Sequence, residues 1–116
     1  MKTIICMTTL ILSITSCSEK QAGNPLLEHF TTPHQTPPFD RIETRHYEPA
    51  FDEGIKQLDS EVQAIANETQ PATFENTIVA LERSGKLLNK VSSAFFNVLN
   101  AEADDEMMEI SQRISP

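Results

Sequence analysis

The side chains best suited to chemistry fall into small groups, and their spacing decides most of their readings. Three histidines, His29, His34 and His46, are the imidazoles available for metal binding or proton transfer. A zinc-binding helix of the H-E-x-x-H type needs two histidines at i and i+4, so that both reach one ion, with the glutamate beside them as base. No pair here has that spacing, and none is followed by Glu-x-x-His. His29 and His34 lie in a proline-interrupted stretch where metal binding would be adventitious. His46, with Tyr47, stands at the entrance to a helix, where capping or packing accounts for it better than contact with a substrate or partner. Glu75, Glu82 and Arg83 read as an exposed helix face, with Glu82 and Lys86 at the i, i+4 spacing of an ordinary surface pair. Asp104, Asp105 and Glu106 lack the alternating ligands and central glycine of a calcium loop, and read as the acidic first turn of a helix. The sequence therefore offers no catalytic and no metal-ligating residue.

Cys17 is different. Lys2 is followed at residues 4–14 by an apolar run without charge, Gly or Pro. Eleven residues are too few to span a bilayer as a helix, which takes roughly 20; length and flanks suit a secretory signal. The run ends Ile14-Thr15-Ser16-Cys17, which resembles the bacterial lipobox. Small side chains admit the signal peptidase to the scissile bond, and the thiol takes the diacylglycerol as a thioether. Lipidation of Cys17, with residues 1–16 removed as a signal peptide, is the expectation. Several acyl chains, at about 0.8 kcal/mol per buried methylene, hold such a protein permanently on a membrane. Cys6 leaves with the signal, so no disulfide framework follows. The predicted location is the cell envelope, exported and lipid-anchored, with inner and outer membrane both open.

The rest of the composition is consistent with one small, mostly helical body. There are 17 acidic against 9 basic residues, a formal net charge of −8, which makes nucleic acid an unsuitable partner. Seven prolines outnumber three glycines.

Residues 17–23 are a short polar tether. Residues 24–44 carry Pro25, Pro33, Pro37 and Pro38, each restricting the residue before it to extended backbone. Leu26, Leu27, Phe30, Phe39 and Ile42 suit a strap across a larger body better than a linker. After Thr44, a cap candidate, Phe51, Ile55, Leu58, Val62 and Ile65 recur at helical spacing, with Pro49 in the first turn and Asn67 near the end. Thr73 caps a second helix whose stripe of Phe74, Ile78, Leu81, Leu88, Val91, Phe95 and Val98 or Leu99 runs to about Asn100. Gly85 falls on that stripe and predicts a close crossing or a kink. A third helix follows with Met107, Ile110 and Ile114 inward. Of the adjacent Phe95 and Phe96, one belongs to the core. Three helices make a thin core, and further chain is expected against them.

Four stretches carry a resemblance: NPLLE from Asn24, PPFDRI from Pro37, HYEPAFDEGI from His46, and TFENTIVALERSGKLLNKVSSAFFNVLNA from Thr73. In this order they resemble the start of zinc metallopeptidases of the thimet oligopeptidase family, in the branch of bacterial dipeptidyl carboxypeptidases and oligopeptidase A. The resemblance implies an all-α fragment, a Pro-rich extended segment (24–44) followed by three helices (45–116) of a larger helical metallopeptidase fold. In such enzymes the N-terminal helices form one wall of a deep channel that admits short peptides. Their zinc, held by H-E-x-x-H and a later glutamate, has no counterpart among the residues present, so zinc belongs to the full-length protein and this segment is expected to bind none and to be inactive alone. The implied partners are the membrane through the lipid anchor, the remainder of the peptidase chain, and short peptide substrates. The alternative is a free-standing, lipid-anchored helical module that binds a peptide or protein.

Overall fold

A computed structural model describes residues 23–115. The signal peptide at 1–16, Cys17 and all of the tether but Gly23 lie outside the described residues. All regular structure among those described is helical, and no described helix is long and apolar enough to cross a membrane.

The first long helix, α1, spans Tyr47–Ala66. A tight turn at Thr44–His46 leads into it, and its cap is formed one residue earlier than Thr44. The Glu43 amide donates to His46 Nδ1 at 2.9 Å while the His46 amide donates to the Glu43 carbonyl at 2.9 Å. Pro49 sits in the first turn, where its missing N–H leaves no bond unmade. At the other end Asn67 closes the helix, its side-chain amide donating to the Gln63 carbonyl at 2.8 Å.

The second helical stretch, expected from Thr73 to about Asn100 with a kink or close crossing at Gly85, is broken at that glycine into two helical pieces. Thr73 does cap it: its hydroxyl accepts from the Asn76 amide at 3.1 Å and the Asn76 side chain accepts from the Thr73 amide at 2.7 Å. A π-helical turn at Phe74–Val79 then runs into the single α-turn α2, Ala80–Arg83. The chain breaks at Ser84 and Gly85, and α3 resumes at Lys86–Ala101. Gly85 has φ +72°, the left-handed region that side-chain-bearing residues enter at a cost. The break explains why the apolar stripe changes sides. Val91 and Phe95 are fully buried, whereas Phe74, Ile78 and Leu81 point outward.

α3 packs antiparallel on α1: Gly85 lies by Leu58, Gly54 against Leu88, and Phe51 and Tyr47 both against Phe95. The close approach is at Gly54, a residue that periodicity alone does not single out. Seating α3 over Gly54 turns Ile55 and Val62 about 100° and 80° away from it, and both are exposed. Phe95 centres the core, meeting Tyr47 and Phe51 edge-to-face at centroid distances of 5.1 and 5.4 Å. Each such pair contributes about 0.5–1.5 kcal/mol beyond the area it buries.

The last helix, α4, spans Asp105–Ile114. Asp104 caps it, its carboxylate accepting from the Met107 amide at 2.7 Å, which gives the acidic cluster a structural role. Met107 and Ile110 are buried, and Phe96 and Met108 beside the buried Phe95 and Met107 face out. The irregular segment ahead of α1 lies across the helix pair. Leu26 and Phe30 enter the core. Asn24 anchors the segment's start by donating to the His46 carbonyl at 2.7 Å, and Lys90 on α3 holds its middle, donating to the Glu28 carbonyl at 3.0 Å with the ammonium 4.6 Å from the Phe30 ring centroid.

Candidate functional site

The three histidines occupy different local settings. His34 lies on the exposed turn Pro33–Gln35 with left-handed backbone. His29 is exposed on the strap. The His46 ring is occupied as a hydrogen-bond acceptor in the lead-in to α1. Among the described residues no group of three or more His, Cys, Asp or Glu side chains stands close enough to hold a metal ion. No H-E-x-x-H helix occurs among the described residues.

Two open hollows flank the core. The larger, about 440 Å³, lies between the strap, the start of α1 and the end of α3; its apolar lining includes Phe39, Ile42, Tyr47, Val98 and Met107, with Thr44, Asn97 and Glu102 as polar members. Burial raises the Tyr47 phenol above its ordinary range, which favours its protonated form. The smaller, about 310 Å³, is lined by His29, Phe30, Gln35, Pro37, Lys90 and Ser93. Partial burial lowers the Lys90 ammonium below its ordinary range, but its hydrogen bond goes to the Glu28 carbonyl. Ser93 has no hydrogen bond to His29 or Lys90, so no nucleophile–base pair is assembled. Both hollows have apolar linings that can accept apolar groups.

Glu75, Glu82 and Arg83 are exposed, as expected of a solvated helix face. The expected Glu82–Lys86 pair does not form, because the break at Gly85 removes both residues from a shared helix. Glu61 on α1 has the role that sequence reasoning missed. Its carboxylate accepts the Gly85 amide at 2.7 Å and the Gln57 side-chain amide at 2.9 Å, and these bonds, the Gly85 one first, hold its pKa below the usual carboxylate value. The signal was present as a carboxylate on the inward side of α1, but its partner is a backbone amide 24 residues away.

No protein-family profile matches the chain. Over 92 residues it is 46% identical to the dipeptidyl carboxypeptidase of Salmonella typhimurium strain LT2, and equally to the dipeptidyl carboxypeptidase of Escherichia coli K12. Each match takes in 79% of this chain and 14% of the relative. The chain thus spans about one seventh of the length of the curated relatives it matches, and is similar to a segment of a peptidase.

Proposed function

We propose, from that similarity, that this chain is the N-terminal segment of a longer zinc metallopeptidase of the dipeptidyl carboxypeptidase type, exported and lipid-anchored through Cys17. The whole enzyme would remove dipeptides from, or cleave within, short peptides in the cell envelope. The segment itself would supply one helical wall of the substrate channel and no catalytic group. The carrying observation is the 46% identity sustained over 92 residues. The absence of H-E-x-x-H from the sequence supports inactivity of the segment alone, and Ile14-Thr15-Ser16-Cys17 after an apolar run supports the anchor.

Reading the nucleotide sequence past the codon for Pro116 tests the proposal. An open frame containing H-E-x-x-H is expected several hundred residues on; a genuine stop would leave the free-standing binding module as the reading. Zinc-dependent cleavage of a peptide by the 116-residue chain would contradict the assignment of roles. For the anchor, labelled palmitate fed to the producing cells should enter the protein, and Cys17→Ser should abolish incorporation. Unchanged labelling of that variant would remove the lipid anchor from the proposal.

A further inference from the structure

Phe74, Ile78 and Leu81 follow one another at intervals of four and three along the helical stretch 74–83, which puts them on one side of it. Their exposures are 69%, 52% and 54%. Single exposed apolar residues need no explanation, but three in register on a short helix form an apolar stripe that water covers poorly.

We infer that this stripe is the seat of the polypeptide that continues from this chain in the full-length peptidase, the part corresponding to what the relatives have beyond the matched 14%. The inference rests on the reading given under Proposed function. Area separates this occupant from a second copy. An aromatic side chain offers roughly 150–250 Å² and Ile and Leu somewhat less, so at these exposures the three present on the order of 300 Å² together, against the roughly 800 Å² per partner of a standard interface between free molecules. A covalently continuous segment does not pay the full loss of translational and rotational freedom, so a contact of this size suffices for it. Charge separates it from a lipid surface. Exposed Glu75 and Glu82 flank the stripe, with Arg83 the one cation among residues 74–83, and an anionic membrane would repel it.

The test is a chimera of the E. coli enzyme in which its 92 matched residues are replaced by those of this chain. Leu81→Cys, and in parallel Ile78→Cys, is introduced with other cysteines changed to serine, and maleimide labelling rates are compared with those of the same variants in the 116-residue chain. In a chimera that cleaves peptides, labelling should slow at least tenfold, and unfolding in urea should restore it. Equal rates in an active chimera would overturn the inference while leaving the peptidase reading intact. Protection of the 116-residue chain that grows with its own concentration would assign the stripe to a second copy, and protection by phosphatidylglycerol vesicles would assign it to a membrane; either overturns it. An unmutated chimera that neither folds nor cleaves would overturn the peptidase reading and this inference with it.

Discussion

Gly54 lies so close to Leu88 that a β-carbon built on it would stand 3.0 Å from the Leu88 Cα and 3.2 Å from its backbone nitrogen. This contact fixes where α1 and α3 cross. Alanine at a helical position gains about 1 kcal/mol over glycine from propensity. Here the opposing atoms belong to a helix backbone and cannot swing aside, and overpacking typically costs about 1–3 kcal/mol. Gly54→Ala is expected to lower stability by about 1 kcal/mol net, and Gly54→Val by more. The urea midpoint of the helical circular-dichroism signal is the readout; a more stable Gly54→Ala protein would show that the crossing yields.

Gly85→Ala should also destabilise, for a different reason. Its φ of +72° costs an L-residue about 1–2 kcal/mol, and the added carbon would stand 3.3 Å from Leu58 Cδ1. Gly85→Asn should lose less than Gly85→Ala at the same urea midpoint, because Asn tolerates left-handed backbone. Equal losses would indicate that the Leu58 contact, not the backbone, sets the cost.

The Glu61 carboxylate ties the α2–α3 break to α1, and its pKa is depressed, chiefly by the Gly85 amide. A carboxyl group with a lower pKa folded than unfolded adds stability above its unfolded value of about 4.3, and that stability is lost as pH falls through the folded value. Glu61→Gln keeps an acceptor for the amide but removes the titration. The acid limb of a stability-versus-pH curve below about pH 4.5 should therefore be shallower in Glu61→Gln than in the parent. Superimposable limbs would remove Glu61 from the acid sensitivity.

Helix α4 offers a contrast between an ion pair and apolar packing. Arg113 bridges Glu48 through two nitrogens at 3.0 and 3.2 Å, but both side chains are about half exposed. Exposed pairs contribute about 0–1 kcal/mol, so Arg113→Ala should cost less than 1 kcal/mol. Ile110 is 2% exposed, and Ile110→Ala should cost about 2–5 kcal/mol. Amide hydrogen exchange across residues 105–114 would report both. A larger effect from Arg113 would mean that the ion pair, not the apolar face, docks this helix.

Features written in local chemistry were legible in the sequence. Thr73, Asn67 and Asp104 cap helices because their short polar side chains reach nearby backbone groups whatever the tertiary fold, and Met107 and Ile110 face inward at helical spacing. Features set by distant chain were not. The stripe from Phe74 to Leu81 continues into Leu88 with unbroken period, so periodicity gave no sign that the buried side changes at Gly85. The exposure of Ile55 and Val62 depends on α3 seating over Gly54, a residue without a side chain to register in any pattern. His46 was legible as a capping or packing group. Its pairing with the Glu43 amide was not, because Thr44 offered a more conventional cap.

The bond from Lys90 to the Glu28 carbonyl joins positions 62 residues apart. During vectorial synthesis the strap that carries Glu28, Leu26 and Phe30 emerges long before α3, and nothing local can bury its apolar groups in the interval. Its docking is therefore a late event, set by when residue 90 and its neighbours leave the ribosome rather than by any preference of the strap itself. Until then Leu26 and Phe30 have no α3 surface to bury against.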